Sequence, residues 1–95
     1  MEINITHQQT DSKGEFFVEN QGEKLATMTY SKAGKHMIII DHTEVSDQLR
    51  GLGVGNKLVL AAVDYARAQK IRILPLCPFA KSVFDKMEEI RDVLA

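Results

Sequence analysis

Between Val45 and Val54 the periodicity of the chain changes, and the change falls on a run of glycines, "SDQLRGLGVGNKLVLAAV" (46–63). Before it, apolar residues alternate with polar ones or run in short blocks. After it, they recur every three or four positions. A period of two belongs to strands and one of 3.6 to helices. The chain is therefore a strand-forming half and a helix–strand–helix half, joined at one glycine-rich helix entrance. Gly51, Gly53 and Gly55 cost conformational entropy there and offer no side-chain packing. Either the entrance is a tight turn, or something comes close to its main chain.

The strand half reads as a meander. "INITH" (3–7) alternates, "GEFFVEN" (14–20) is a β-type run closed by the turn "NQGE" (20–23), and "KLATMTY" (24–30) alternates again with Leu25, Met28 and Tyr30 inward. After the loop "SKAGK" (31–35), the run "HMIIIDHTEV" (36–45) has a continuous apolar centre, Met37 to Ile40, which predicts a central strand buried on both faces. Beyond the glycines, Val54, Leu58, Ala61, Ala62 and Tyr65, widened by Val59, Val63 and Ala66, predict a deeply packed helix ending near Gln69. "IRILPLC" (71–77) is the fifth strand, parallel to 36–45 because a helix connects the two. "PFAKSVFDKMEEIRDVLA" is a second helix with Pro78 in its first turn and Val83, Met87, Ile90 and Leu94 on one face. The expected fold is α+β (α/β mixed): a mixed, mostly antiparallel five-stranded sheet with helices after strands four and five, in one domain spanning 1–95.

Composition narrows the function. A net charge of −1 with scattered Lys and Arg offers no basic stripe for nucleic acid. The apolar runs are too short to cross a bilayer. "MEINITHQQT" has neither a basic start nor an apolar signal region, which reads as cytoplasmic. Cys77 is the only cysteine, so an internal disulfide is impossible. No metal ligand set is assigned.

A strand, a glycine loop and a helix N-terminus together make an anion site, since unpaired N–H groups and the helix dipole point the same way. Three phosphate-binding patterns compete. A Walker A loop needs Gly directly before Lys57 and Ser or Thr after it, where the chain has Asn56 and Leu58. The dinucleotide fingerprint G-x-G-x-x-G needs Gly at 56. The pattern Q/R-x-x-G-x-G/A fits in register on Arg50, Gly53 and Gly55.

That last pattern, with "DHTEV" before it, "AAVDYAR" in the helix and "ILPLCPFAKSVF" after it, resembles the GNAT superfamily of N-acetyltransferases, in particular a small single-domain subfamily. The resemblance covers about residues 38–84. It implies acetyl-CoA as co-substrate, its pyrophosphate cradled by the glycine loop and its pantetheine arm lying where strands four and five splay apart. The cofactor-binding residues it implies are Val45, Arg50, Gly51, Leu52, Gly53, Val54, Gly55, Asn56, Cys77 and Phe79. It also implies a main-chain N–H near Thr43–Val45 that polarises the thioester carbonyl.

Acetyl transfer to an amine needs a base and benefits from a proton donor for the departing thiolate. His42 and Glu44 are the candidate bases; strict alternation puts them on one face and Asp41 and Thr43 on the other. The alternative is a solvated strand end. His7 and His36 read as surface or hairpin residues. The family's usual proton donor is a tyrosine on the helix after strand five, and residues 79–94 contain none. Tyr65 reads as core and Tyr30 as strand packing. Cys77, ending strand five at the cap of the last helix, is the candidate donor or acetyl acceptor, against the alternative of a small buried hydrophobe. Typical family members carry helices between the first two strands that wall the acceptor site. This chain has no helical pattern there, so its acceptor side is expected to be open. The reading is an acetyl-CoA-dependent N-acetyltransferase acting on an unidentified amine, of a large or protein acceptor, with an acetyl-CoA-binding module or sensor as the alternative.

Overall fold

The computed structural model describes residues 2–95, and Met1 lies outside the described residues. Up to Val45 the described residues make four strands: β1 (Thr6–Gln9), β2 (Lys13–Asn20), β3 (Glu23–Lys32) and β4 (Met37–Val45). Each pairs antiparallel with its predecessor. The β2–β3 turn has positive φ at both central residues, 51° at Gln21 and 82° at Gly22. That two-residue geometry matches the right-handed twist of the strands it joins. β1 starts later than "INITH" predicts; Ile3 and Ile5 pack against the core without belonging to a strand.

Helix α1 (Val54–Gln69) crosses over, and β5 (Arg72–Pro75) returns parallel to β4 with Ile38 opposite Ile73 and Ile40 opposite Pro75. Helix α2 (Pro78–Lys86) follows. The sheet order is β1-β2-β3-β4-β5, the mixed α+β arrangement expected from the sequence. Leu58, Val59, Ala62, Val63 and Ala66 of α1 are buried in one cluster with Phe16, Met28, Ile38, Ile40 and Ile73 of the sheet. Each such side chain contributes about 1.5–3 kcal/mol on burial.

The apolar run of β4 is not covered on both faces. Ile38 and Ile40 are buried, whereas Met37 and Ile39 are only half-buried. The helices lie together on one face, where α1 packs against α2. The opposite face carries Glu15, Thr27 and Thr29, and its buried Phe17 is covered by Lys24, whose Nζ lies 4.6 Å from the ring centroid.

The second helix is shorter than its periodicity predicts. It stops at Lys86; Met87 takes φ −119° and a 3₁₀ turn, Glu88–Val93, follows. The Arg91 guanidinium donates to the carbonyls of Phe84 and Asp85 at 2.8 and 2.6 Å. These carbonyls lie in the last turn, where intrahelical donors run out. Leu94 then bridges to Ile73, and the Ala95 N–H donates to the Ile73 carbonyl at 2.9 Å. The chain end thus covers part of the outer edge of β5.

Candidate active site

β4 and β5 stop pairing at Ile40 and Pro75, for two local reasons. Pro75 has no N–H to give a ladder. The N–H groups of Leu76 and Cys77 both turn onto the Ile40 carbonyl at 3.0 Å. On the other side of β4 the register shifts between Thr29 and Tyr30, leaving Asp41 as the extra residue of a bulge. A gap therefore opens along the end of β4.

The glycine loop lies at the end of β4. Ser46 Oγ accepts from the Gln48 N–H at 3.2 Å and starts a 3₁₀ turn, Asp47–Leu49, pinned by the buried Leu49. Arg50 donates to Asp47 Oδ1 at 2.9 Å on the surface. Gly53 is the N-cap of α1 at φ 67° and offers no side-chain cap. The first main-chain bond of the helix runs from the Lys57 N–H to the Gly53 carbonyl, 3.1 Å. Among the described residues, the N–H groups of Gly51, Gly53, Val54, Gly55 and Asn56 donate to no protein acceptor. Five free donors at the positive end of a sixteen-residue helix favour an anion.

Each glycine has its own local reason. A Cβ at Gly51 or Gly53 would meet nothing within 4 Å, but their φ values are +83° and +67°, a region that side chains disfavour. Gly55 is helical, and a Cβ there would lie 2.4 Å from Phe79 Cζ. The Phe79 ring thus lies on Gly55 and ties the first turn of α2 to the first turn of α1. Among the described residues, the large apolar side chains left exposed, Val45, Leu52, Leu76 and Phe79, all lie at the end of β4, the glycine loop or the β5–α2 junction.

Cys77 is the N-cap of α2 and is buried. Its Sγ lies 3.4 Å from Thr43 Oγ1, across the gap. Burial pushes the thiol up. The Thr43 hydroxyl and the nearby N–H groups of Ala80, Phe79 and Thr43 outweigh it and hold the thiol below its ordinary value. The geometry with Thr43 is a full hydrogen bond; the helix N–H groups lie close without capping the sulfur.

His42 Nε2 and Glu44 Oε1 are 2.8 Å apart and well exposed, as alternation predicts for neighbours on one face. Asp41 does not join Thr43. The bulge turns Asp41 to Thr29 and Ser31, which donate to its two oxygens at 2.5 and 3.3 Å. Thr43, opposite the buried Met28, faces Cys77 instead. The structure therefore brings Thr43, Cys77, Phe79 and the glycine loop together on the helix side, and places His42 and Glu44 on the other face. Thr43 as the partner of the sulfur had no signal in the sequence, because the bulge resets which face each later residue takes.

His7 is half-buried and not simply a surface residue. Its ring stacks on Phe16 with centroids 4.1 Å apart, and Nε2 lies 2.7 Å from the Tyr30 hydroxyl. Tyr65 packs edge-on against His7 and donates to Gln9 Oε1 at 3.2 Å. Both tyrosines of the chain are thus engaged at the β1–β3 end of the sheet. His36 is exposed, as read. A cavity of about 760 Å³ lies away from the glycine loop; Gln8, Lys13, Glu15, Thr29, Tyr30 and Asp41 are among its walls. Among the described residues no group of three His, Cys, Asp or Glu side chains could hold a metal ion, and no helix is long and apolar enough to cross a membrane.

A five-stranded mixed sheet whose fourth and fifth strands part beside a glycine-led helix defines an acetyltransferase-type fold. The family model described as "GCN5-related N-acetyl-transferase" matches residues 15–93, and the chain belongs to that family. It is similar to a GCN5-like protein of Staphylococcus aureus solved in solution, 37% identical with a TM-score of 0.74, covering 98% of this chain and 88% of that one. A match to Protein NATD1 of Bos taurus is 35% identical over 52 residues, 55% of this chain and 46% of that protein. The match thus spans about half the length of that relative. Aminoglycoside N-acetyltransferase AAC(6')-Iy, solved in complex with CoA, shares the fold at 13% identity and TM-score 0.58, covering 81% of this chain and 67% of that one.

Proposed function

We propose that the chain binds acetyl-CoA at the glycine loop and transfers its acetyl group to a primary amine. The observation that carries this is the set of five unpartnered N–H groups at the entrance of α1, beside the gap between β4 and β5. In this reading the pyrophosphate takes those N–H groups, Arg50 adds charge, and Val45, Leu52, Val54 and Phe79 border the pantetheine arm. Gly51, Gly53, Gly55 and Asn56 supply main chain. The thioester lies in the gap. The amine nitrogen attacks the carbonyl carbon, the C–N bond forms as the C–S bond breaks, and the amine gives up a proton. His42 and Glu44, on the exposed face of β4, are the proposed bases. Cys77 gives its proton to the departing CoA thiolate. A thiol held below its ordinary pKa is a stronger acid for that step.

The test is calorimetric titration with acetyl-CoA and CoA, followed by mass measurement of protein and amine products. Binding to the folded state alone adds about 2.7 kcal/mol at one hundred times Kd, so melting temperature must rise with millimolar acetyl-CoA. No rise overturns the cofactor reading. An acetyl group on wild-type protein and none on Cys77→Ala would make Cys77 the acetyl acceptor instead of the acid.

One observation favours a second reading, an acetyl-CoA-binding module with little transfer. No tyrosine stands on α2, and the hydroxyls of Tyr30 and Tyr65 are engaged elsewhere. Acetyl-CoA binding without acetylation of any amine tested is its expected signature. Whether residues 1–95 act as one unit is part of the same proposal, and co-operative unfolding in a single transition is its test.

A further inference from the structure

Lys32, Lys35, Lys70 and Arg72 are scattered in the sequence, yet the fold gathers them at one end of the molecule. β3 and α1 finish there, and β4 and β5 set out from there. Gly34 takes φ 72°, and the Ala33 N–H donates to the Met37 carbonyl at 2.9 Å, which closes the β3–β4 loop. The Arg72 N–H donates to the His36 carbonyl at 2.8 Å, so the start of β5 lies against that loop. Lys70 caps α1 at φ 58°, and the Ile71 N–H returns to the Ala66 carbonyl at 3.0 Å. These main-chain bonds make fixed supports for the cations.

Among the described residues, Lys32, Lys35 and Lys70 take part in no ion pair. Lys32 Nζ donates to the Thr10 carbonyl at 2.9 Å, which holds the side chain but leaves its charge. On the Arg67 side the 3₁₀ turn supplies a counter-charge, since Asp92 pairs with Arg67 at 2.7 Å. The carbonyl end of α1 offsets about half a charge more. The uncompensated charge therefore lies towards Lys32, Lys35 and Lys70. The whole chain has 12 Lys and Arg against 13 Asp and Glu, so this is a charge asymmetry within a nearly neutral protein.

Two hollows open between these cations. One, about 300 Å³, has Lys32, Lys35, Met37, Tyr65 and Ile71 among its walls; the other, about 280 Å³, has Lys70, Ile71 and Arg72. They share Ile71. Met37 and Ile71 are half-buried, whereas Lys35, Lys70 and Arg72 are exposed, so an apolar floor is rimmed by positive charge. The Tyr65 ring packs edge-on against His7 and its hydroxyl donates to Gln9, which leaves no platform for a stacked base. An apolar floor within a cationic rim suits a chain that alternates carboxylates with apolar side chains better than a nucleic acid.

We infer that this end docks an extended acidic segment of a partner protein, its carboxylates on Lys35 and Lys70 and an apolar side chain between them on Met37 and Ile71. The inference does not rest on the transferase reading. α1 has 16 residues, so this surface is about 24 Å from the glycine loop. A partner seated here leaves that loop open.

The test is nuclear magnetic resonance titration of the labelled full chain with an N-acetylated, C-amidated Glu-Leu-Glu-Val-Glu peptide, without acetyl-CoA. Backbone signals of Lys35, Met37, Lys70, Ile71 and Arg72 should shift, and those of Gly51–Asn56 should not. Added salt should weaken binding, because exposed ion pairs are screened. The double variant Lys35→Gln, Lys70→Gln should bind about fivefold more weakly, the loss of two exposed ion pairs. Lys81→Gln, which removes a charge in the first turn of α2, should bind as the wild type does. Equal binding of the same peptide with glutamine for each glutamate would overturn the inference. So would shifts confined to other surfaces, no shifts at millimolar peptide, or undiminished affinity in the double variant. A thymidine oligonucleotide, or vesicles rich in phosphatidylserine, moving these signals at lower concentration than the peptide would overturn the assignment to a protein partner.

Discussion

Gly55→Ala isolates the contact that joins the two halves of the candidate site. Two effects oppose each other. Alanine in a helix is favoured over glycine by roughly 0.5–1 kcal/mol. Against that, the new methyl would lie 2.4 Å from Phe79 Cζ, far inside contact distance. Forcing it in costs about 1–3 kcal/mol, as for other overpacked sites. The ring is 40% exposed, so it yields outward more readily than a core residue and the lower part of that range applies. The net expectation is a loss of about 0.5–1 kcal/mol, or a few degrees in melting temperature for a chain of this size. In a Phe79→Ala background the clash is gone, and the same substitution should stabilise by about 0.5–1 kcal/mol. Urea unfolding of the four proteins in the cycle, followed by circular dichroism, gives the coupling directly. A coupling of about 1–2 kcal/mol is expected from these terms. Equal effects of Gly55→Ala in both backgrounds would refute the reasoning. The cycle also separates packing from binding: the methyl still stands beside the Gly55 N–H in the double variant, so CoA affinity should fall there although stability recovers.

Thr43→Val keeps the shape of the side chain and removes the hydroxyl that bonds Cys77. The thiol midpoint, followed by thiolate absorbance, should start below that of an ordinary cysteine and rise in the variant; identical midpoints would remove Thr43 from the account. The sign for stability follows: a depressed thiol pKa contributes stability that is present above the unfolded value and lost as pH falls through the folded one. His7 is held below the ordinary imidazole value, first by burial and then by Lys32. Its contribution is likewise complete above the unfolded value of 6.5 and lost as pH falls toward the folded one. Melting temperature should therefore decline below that pH, and His7→Gln should flatten the decline; an unaltered slope would show that other groups cause it. Arg91→Ala removes both donors to the end of α2 and should cost about 1–2 kcal/mol. Arg91→Lys should recover little of this, because one ammonium cannot reproduce the planar fork. Hydrogen exchange in Glu88–Ala95 would report it, and unchanged protection would mean that the bridge at Leu94 alone holds the segment.

The order of strands and helices was legible because it depends on local periodicity. Alternation in 24–30, helical spacing from Val54 and Pro78 at a helix start each act within a few residues. The parallel return of β5 followed from the handedness of a strand–helix–strand connection. The glycine loop was legible too, as Gly51 and Gly53 take the positive φ that favours glycine over any side chain. What periodicity could not carry is anything set by a partner distant in sequence. Met37 and Ile39 look as buried as Ile38 and Ile40 until the helices are seen to share one face. Nothing local stops α2 at Lys86; Arg91 and the Leu94–Ile73 bridge do. Gly55 is held by Phe79, twenty-four positions on, and His7 by Phe16 and Tyr30 from neighbouring strands. The bulge at Asp41 decides most. A single unpaired residue reverses the facing of all that follow, so it sends Thr43 to Cys77 and leaves Asp41 with Thr29. The chain alone determined which residues stand near the end of β4. Pairing with β3 decided which side of the sheet each one serves, because register is a property of two strands and not of one.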